Sequence, residues 1–239
     1  MDIDASQFAV VGYEVIPQVL READIDRTLQ SLQGLPTGRV GSRCLIELPW
    51  CAELGRRIGL DARVRRLSPA NAVAVQCTLF VKSPSRNWLV TLHQDLSVPV
   101  AERVESAECS GWSEKEGEVF VQPPSQVLEQ MLAVRLHLDD CDEQTGALRV
   151  VPGSHRLGRL SADEALRARK SSGEVSVPVP RGGVMLMRPL LLHASSRCAS
   201  DRPRRVLHFV FGPREIPHGL RWRTSLAQDR NALERGGVS

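Results

Sequence analysis

Residues 91–96 read TLHQDL, so His93 and Asp95 stand two positions apart in a run of strand-forming residues. Because side chains alternate across a strand, His93 and Asp95 share one face and Gln94 points to the other. An imidazole and a carboxylate on one face are suited to holding a metal ion. About one such pairing is expected by chance in a chain of this composition, so the pair alone leaves open whether these groups bind a metal or only each other.

A third ligand is predicted at His193, a polar residue that ends a predicted apolar strand in RPLLLHASSR. Two histidines and one carboxylate form a facial triad that leaves positions open on an iron(II) ion. If those positions take 2-oxoglutarate, its far carboxylate needs a fixed cation, and the planar fork of arginine suits a carboxylate. Arg204, which opens the strand RRVLHFVF, and Ser195, two residues beyond His193, are the predicted donors.

A second His-x-Asp pair, HLD at 137–139, competes with the first. It runs directly into the acidic turn CDEQTG and leaves too few strands before a third ligand. Strand alternation there predicts that Arg135 and His137 line a cavity, whereas Val134, Leu136 and Leu138 face the helices. A cavity wall of this kind suits an anionic or hydrogen-bonding ligand.

The elements that must position these residues change in character along the chain. GYEVIP at 12–17 predicts a strand, the spacing of Ile25, Leu29 and Leu32 predicts a helix, and a second helix is predicted from Pro49 to about Ile58. From residue 70 onward, short β-rich runs separated by glycine and proline indicate a sandwich or jelly roll. The stretch 98–126 has little periodicity and is predicted to be a long loop, and 157–173 a surface helix and loop.

Composition limits the class of protein. The chain has 239 residues, of which 42% are hydrophobic and 25% charged, which is typical of a single globular domain. A net charge of +3 with only 4% aromatic residues argues against nucleic-acid binding, and no membrane segment is apparent. The six cysteines are widely spaced and the first ten residues do not resemble an export signal. We therefore expect a cytoplasmic protein with reduced thiols.

Three motifs resemble the phytanoyl-CoA dioxygenase family of iron(II)- and 2-oxoglutarate-dependent oxygenases. They are WLVTLHQDL, TGALRVVPGSHRLG and HASSRCASDRPRR, the last with an arginine eleven positions after its histidine. The resemblance runs from GYEVIP to RRVLHFVFG. It implies a mainly β fold, a double-stranded β-helix (jelly-roll, cupin-like barrel) with flanking N-terminal helices, and the use of iron(II), 2-oxoglutarate and O2. We expect one domain over residues 1–239, divided into N-terminal elements (about 8–60), the β-helix core (about 70–213) and a C-terminal extension (about 214–239).

The resemblance also implies roles for individual residues. His93, Asp95 and His193 resemble the iron ligands, and Arg204 with Ser195 resembles the clamp for the far carboxylate of 2-oxoglutarate.

Other positions match the family less closely. Spacing favours Arg204 over Arg205. Thr78 and Arg135 match places where relatives contact the cosubstrate, and Gln76 matches a cosubstrate or substrate contact of ectoine hydroxylases. Lys82 is predicted to lie at a solvated strand end, with a charge near the cavity rim as the alternative. The predicted substrate contacts are His137, His208, Arg43 and Trp112.

The expected reaction is hydroxylation of an unactivated C–H bond of a small polar or anionic metabolite, with release of succinate and CO2. Asp95 fills the place that a small residue takes in related halogenases, which favours hydroxylation. Two alternatives stay open: the same chemistry ending in desaturation, epimerisation or ring formation, and a non-catalytic cupin-like protein that binds a metal or small ligand. The sequence does not indicate an oligomeric state.

Overall fold

The computed structural model describes residues 5–35, 43–83 and 87–226. Within these ranges no helix is long and apolar enough to cross a membrane. The helices are α1 Ala5–Val11, α2 Glu22–Gln33, α3 Pro49–Leu60, α4 Ala62–Arg65, α5 Ser125–Glu129 and α6 Ala162–Ser172, with 3-10 turns at Leu45–Glu47 and Ser154–Leu157. The strands are β1 Tyr13–Ile16, β2 Val73–Lys82, β3 Val90–His93, β4 Val98–Val100, β5 Ser110–Lys115, β6 Glu118–Gln122, β7 Leu132–His137, β8 Leu148–Val150, β9 Val175–Val177, β10 Val184–Met187, β11 His193–Ser195 and β12 Arg204–Gly212.

Two antiparallel sheets form the barrel. One has the order β1-β10-β7-β12-β2 and the other the order β3-β11-β8-β9. Residues from both sheets line the same internal cavity, so their inner faces oppose each other. The fold is mainly β, a double-stranded β-helix with flanking helices, which confirms the predicted class.

The outer face of the five-stranded sheet packs on the N-terminal helices. Val134, Leu136 and Leu138 are fully buried there, in one apolar cluster with Ile25 of α2 and Ile58 of α3. This confirms the strand alternation predicted for HLD and both predicted helices, although α1 and α4 had not been predicted. The inner face of the same sheet is thereby left free to carry polar groups.

The stretch 98–126 is not the long loop that we predicted. It contains β4, β5 and β6, which form a three-stranded antiparallel sheet of order β4-β6-β5. Glu116 and Gly117, with φ of 58° and 79°, make the turn between β5 and β6. Strand β5 is largely exposed on both faces, so it lacks the alternation of apolar residues from which a half-buried strand is recognised.

The β-rich run GGVMLMRPLLLHASS forms two strands, which lie in different sheets. Strand β10 belongs to the five-stranded sheet and β11 to the four-stranded sheet, with Pro189 in the connection between them. Proline cannot donate a ladder hydrogen bond, which favours a break at this point. His193 therefore begins a strand instead of ending one.

Candidate active site

The three predicted metal ligands meet at one point. His93 and His193 are direct partners in the β3–β11 pair, with ring centroids 4.2 Å apart. Asp95 lies just beyond β3, where its backbone N–H donates to the Pro189 carbonyl at 2.9 Å. One ligand atom from each residue lies within 4.8 Å of the others, and among the described residues this is the one such cluster of metal-binding side chains.

Backbone carbonyls orient both imidazole rings. Nδ1 of His93 lies 2.8 Å from the Thr91 carbonyl oxygen, and Nδ1 of His193 lies 2.9 Å from that of Leu191. A carbonyl only accepts, so each Nδ1 carries the hydrogen and each Nε2 keeps its lone pair. Nε2 of His93 lies 3.7 Å from Oδ1 of Asp95, and Nε2 of His193 lies 3.7 Å from Oδ2. Both free lone pairs therefore point into the space beside the carboxylate.

The protonation states at this point suit a cation. Burial alone would raise the pKa of Asp95, but the nearby histidines and Arg135 lower it to about 2. Burial lowers the pKa of His193 to about 4. At neutral pH the carboxylate is ionised and the His193 ring is neutral, which are the forms that bind metals. Oδ2 of Asp95 is buried and has no hydrogen-bond partner among the described residues.

His208, on β12, faces the Asp95 carboxylate from the barrel wall. Its Nδ1 lies 3.0 Å from Nη1 of Arg135. Arginine only donates, so Nδ1 accepts and the ring proton is on Nε2, 3.8 Å from Oδ2 of Asp95. Burial and then Arg135 lower the pKa of His208 to about 3, so the ring is neutral.

An inner cavity of about 90 Å³ lies on one side of the metal ligands. Arg204 is 3% exposed, donates to the Gly146 carbonyl and has an unpartnered Nε. Gly146 has φ +80°, and a Cβ there would lie 2.8 Å from the Ser196 carbonyl oxygen, so the arginine rests on a turn that needs glycine. The cavity is lined by Phe80, Trp88, Val90, His93, Asp95, Arg135, Leu148, His193, Ser195, Arg204 and His208.

Arg205 faces away from this cavity. Its backbone N–H, Nε and Nη2 all donate to the Asp139 carboxylate, at 2.8, 2.9 and 2.6 Å. The aspartate of the competing HLD motif is therefore part of a structural ion pair. The structure brings Arg204, and not Arg205, to the cavity, as the motif spacing predicted.

Lys82 is the charged residue that the sequence interpretation placed wrongly. It is 0% exposed instead of solvated. In the antiparallel register of β2 and β12, its backbone lies directly opposite that of Arg204. Its Nζ donates to Ser195 Oγ at 2.7 Å and to the Ser196 carbonyl oxygen at 2.6 Å. Burial and then Arg204 lower its pKa to about 8. Strand alternation puts Lys82 on the face of Thr78, and that signal could have identified it.

An outer cavity of about 340 Å³ lies on the other side and shares Phe80, His93, Asp95 and His208 with the inner one. Gln76 and Thr78 line the outer cavity, where Gln76 Nε2 donates to Thr78 Oγ1 at 2.9 Å. The contact predicted for Thr78 with the cosubstrate, and for Gln76 with the cosubstrate or the substrate, stays a prediction. The remaining lining residues are Arg43, Gln94, Leu96, Ser97, Val98, Lys115, Phe120, Leu128, Met131, Ala133, Pro189 and Val210.

Two predicted substrate contacts line neither of these cavities. His137 is 3% exposed on β7, and neither of its ring nitrogens has a partner among the described residues. Trp112 lies on β5 and packs against an apolar cluster, with the Arg103 guanidinium 5.6 Å from its ring centre. Arg43 and His208, by contrast, do line the outer cavity.

Comparison with known proteins agrees with this geometry. A family model described as phytanoyl-CoA dioxygenase (PhyH) matches residues 8–206. The chain belongs to the phytanoyl-CoA dioxygenase family. No curated protein matches the sequence.

Several solved structures share the fold of this PhyH-family chain. The epimerase SnoN, in complex with Fe3+, alpha ketoglutarate and nogalamycin RO, aligns with a TM-score of 0.67 at 15% identity, over 90% of this chain and 89% of SnoN. EctD from S. alaskensis, with 2-oxoglutarate and 5-hydroxyectoine, aligns with a TM-score of 0.66 at 17% identity, over 87% of this chain and 74% of EctD. The alpha ketoglutarate-dependent carbocyclase SnoK from nogalamycin biosynthesis aligns with a TM-score of 0.63 at 18% identity, over 87% of this chain and 82% of SnoK. At these identities the likeness is one of fold.

Proposed function

We propose that this PhyH-family protein is an iron(II)- and 2-oxoglutarate-dependent dioxygenase that hydroxylates an unactivated C–H bond of a small molecule. The observation that carries the proposal is the convergence of His93, Asp95 and His193 where two cavities of different character meet. One cavity is small and rich in cations. The other is larger and partly apolar.

The three side chains fit a ferrous ion. Two neutral imidazoles with free Nε2 atoms and one ionised carboxylate form the 2-His-1-carboxylate donor set of iron oxygenases. The buried Oδ2 of Asp95 lacks a partner in the described structure, and a bound cation would satisfy it. His208 would hold the carboxylate in position from the wall side, a role that outer residues often have at metal sites.

The inner cavity fits 2-oxoglutarate. Arg204 and Arg135 line it, and no carboxylate of the described residues lies within 4.0 Å of either guanidinium. Nε of each arginine is buried without a partner. Arg204 and Ser195 would hold the far carboxylate, and Arg135 would add positive charge nearer the metal ligands. When bound, iron(II) would activate O2, the oxidant: 2-oxoglutarate would supply two of the four electrons and leave as succinate and CO2, and the substrate C–H bond would supply the other two.

The outer cavity supports a small substrate with an anionic or hydrogen-bonding group. Lys115 lines it, with Nζ 4.7 Å from the Phe120 ring centre, and no described carboxylate lies within 4.0 Å of that ammonium. Arg43, by contrast, forms an ion pair, with its Nη1 3.3 Å from Oε1 of Glu116. The basis for an anionic substrate thus moves from Arg135 and His137, as first predicted, to Lys115. Gln76 and Thr78 would serve the substrate instead of the cosubstrate.

One alternative, the same oxidation ending in a different product, has specific support. Epimerisation and ring formation share the oxidising step, and an epimerase and a carbocyclase are among the proteins with this fold; desaturation belongs to the same group. A non-catalytic metal-binding protein would need the same ligands. The cation-rich inner cavity favours an enzyme, because a protein that only binds a metal has no use for a carboxylate receptor beside it.

The assay that separates these readings uses the whole protein. Under argon, iron(II) with 2-oxoglutarate should give a weak visible charge-transfer band, and O2 should then yield succinate. A metal-binding protein gives neither signal. A panel of small carboxylates tested for stimulated succinate release would identify the substrate class, and product analysis would distinguish hydroxylation from the other outcomes.

The setting that we propose is the cytoplasm. All six cysteines are unpaired, and reduced thiols are usual there. We also propose that the chain forms one oxygenase domain, because the family match at 8–206 spans both the N-terminal helices and the β-helix core.

A further inference from the structure

A third cavity, of about 340 Å³, is lined by residues of helices α1 and α5, and we refer to it as the α1–α5 cavity. Ala9 of α1, Leu128 and Glu129 of α5, and Arg188 from the connection between β10 and β11 lie in its wall. None of the three metal ligands lines it, and Leu128 is the one described residue that it shares with the outer cavity. It is therefore separate from the two cavities beside the metal ligands.

Arg188 brings a half-buried positive charge to the α1–α5 cavity without a counter-ion. No carboxylate of the described residues lies within 4.0 Å of its guanidinium. Each of the other half-buried arginines in the described ranges pairs with an aspartate or a glutamate. The remaining buried or half-buried cations without such a partner lie at the two cavities beside the metal ligands: Lys82, Lys115, Arg135 and Arg204. A partly desolvated charge without a counter-ion favours the binding of an anion.

The other charges of the cavity favour an anion with a single negative charge. Arg156, in the 3-10 turn Ser154–Leu157, also lines the cavity, and no described carboxylate lies within 4.0 Å of it. Glu129 is a lining residue too, so the wall carries two guanidinium groups and one carboxylate. This excess of one positive charge suits a carboxylate better than a phosphate dianion. The planar fork of arginine also matches the geometry of a carboxylate.

Apolar side chains form much of the remaining wall. Leu128 and Leu190 line the cavity and are buried. Val10 and Leu157, each next in sequence to a lining residue, are 54% and 59% exposed, and they are two of the five large hydrophobic residues that are exposed in the described structure. A carboxylate that carries an apolar portion would remove part of this surface from water while its charge pairs with arginine.

Hydrogen bonds fix the walls of the α1–α5 cavity. Nε2 of His155 donates to the Ala9 carbonyl oxygen at 3.1 Å, and the backbone N–H of Arg188 donates to that of Gly12 at 2.9 Å. A Cβ at Gly12 would overlap the His155 ring, so this close approach needs glycine. Nη1 of Arg188 donates to the Met131 carbonyl oxygen at 3.2 Å, which is the one hydrogen bond of this guanidinium within the described structure. Its other N–H groups are available to a ligand.

We propose that the α1–α5 cavity is a second ligand site, which binds a small monocarboxylate with an apolar portion. The carboxylate pairs with Arg188 and Arg156, and the apolar portion packs on Leu128 and Leu190. Because the cavity is separate from the metal ligands, this inference does not depend on the proposed function.

The test uses three probes that separate charge from apolar contact. Hexanoate has a carboxylate and a chain, 1-hexanol has the chain without the charge, and inorganic phosphate has charge without a chain. Each is titrated by calorimetry into the full-length protein under argon, with iron(II) and excess 2-oxoglutarate present so that the inner cavity is already occupied. We expect hexanoate to bind at least about tenfold more tightly than either of the other probes.

Variants locate the bound hexanoate. Ala9→Glu adds a carboxylate at an exposed lining position and should weaken binding about fivefold or more, because the new charge pairs with the arginines. Gln7→Glu adds the same charge at an exposed position of α1 outside the lining, so it is the matched control and should stay within about twofold. Arg188→Gln should weaken binding about 10- to 100-fold. Lys115→Met alters the outer cavity and should leave hexanoate binding within about twofold.

Hexanoate binding that is unchanged in both Ala9→Glu and Arg188→Gln would overturn the inference, as would the absence of binding to the unaltered protein. Loss of binding in Lys115→Met alone would place hexanoate in the outer cavity and would also overturn it, as would phosphate or 1-hexanol binding as tightly as hexanoate. If Arg188→Gln does not fold, the comparison of Ala9→Glu with Gln7→Glu decides alone. Failure to bind iron(II) or 2-oxoglutarate would contradict the proposed function only, because the heat of hexanoate binding is measured separately.

Discussion

Replacing Lys82 by methionine tests, in the protein without ligands, whether a charged ammonium is buried beside the inner cavity. The pKa of Lys82 falls from its usual 10.5 to about 8. A charged lysine whose pKa is lower in the folded than in the unfolded state destabilises the fold. The full cost is present below about pH 8, decreases as pH rises, and is gone above about pH 10.5. At neutral pH this cost is about 3 kcal/mol.

The pH dependence separates this charge effect from the loss of contacts. Methionine also removes the hydrogen bonds to Ser195 and Ser196, but that loss does not vary with pH in the same way. Between about pH 7.5 and pH 9.5, the free energy of unfolding of the unaltered protein should rise by about 2 kcal/mol more than that of Lys82→Met. The charged or titratable groups that act on Lys82 are Arg204, Arg135, Cys141 and Cys198. All four are present in both proteins.

The assay is urea unfolding followed by circular dichroism across this pH range, without metal or keto acid. Lys170→Met is the control, because an exposed lysine should leave the slope unchanged. Parallel pH profiles for the unaltered protein and Lys82→Met would refute the argument, because they would mean that Lys82 keeps an ordinary pKa.

Four further predictions concern the site. Asp95→Ala should abolish iron binding and succinate formation because it removes one of three ligands, whereas the exposed Glu105→Ala should do neither; retained succinate with bound iron would contradict the ligand assignment. Arg204→Ala should raise the 2-oxoglutarate concentration needed for half-maximal succinate release by about 10- to 100-fold, since a hydrogen bond to a charged group contributes about 1.5–3 kcal/mol. Arg205→Ala should leave this concentration within about twofold while lowering the melting temperature, because Arg205 bonds Asp139; equal effects of both arginines would argue against the assignment. Lys115→Met should lower kcat/KM for an anionic substrate about fivefold without changing 2-oxoglutarate affinity, as expected for loss of a partly exposed charge worth about 1 kcal/mol. A change in 2-oxoglutarate affinity instead would mean that Lys115 acts on the inner cavity and not on the outer one. Gly146→Ala should lower the free energy of unfolding by about 1–3 kcal/mol, measured in urea, because an L side chain at φ +80° is strained and its Cβ would lie 2.8 Å from the Ser196 carbonyl oxygen; unchanged stability would show that the turn relaxes.

Local rules were sufficient for the centre of the site. Alternation along one strand placed His93 and Asp95 on a common face, and motif spacing selected His193 and Arg204. The structure places all four residues around one cavity, because each inference depended on residues close in sequence or on a known order of strands. The apolar alternation of β7 likewise predicted which of its residues meet the helices.

Residues whose role depends on strand pairing could not be placed in this way. Lys82 stands at the end of β2, where a solvated lysine is common, and only its pairing with Arg204 in β12 shows that it is buried. His137 lies on the same face of β7 as Arg135, yet Arg135 lines the inner cavity and His137 does not. The sequence gives the face of a strand but not how far along that strand a cavity extends.

The charged residues of the two cavities lie on strands of different kinds, central in one case and edge in the other. Arg204, Arg135 and Ser195 lie on β12, β7 and β11, each of which is paired with a neighbouring strand on both sides. Lys115 ends β5, an edge strand of the small sheet, next to the turn at Glu116 and Gly117. Substitutions at an edge strand and its turn disturb few neighbours, whereas changes on a central strand disturb two ladders. If the outer cavity binds the substrate and the inner cavity the keto acid, as we propose, substrate selectivity can change while keto-acid binding stays fixed. Among proteins of this fold are an epimerase and a carbocyclase.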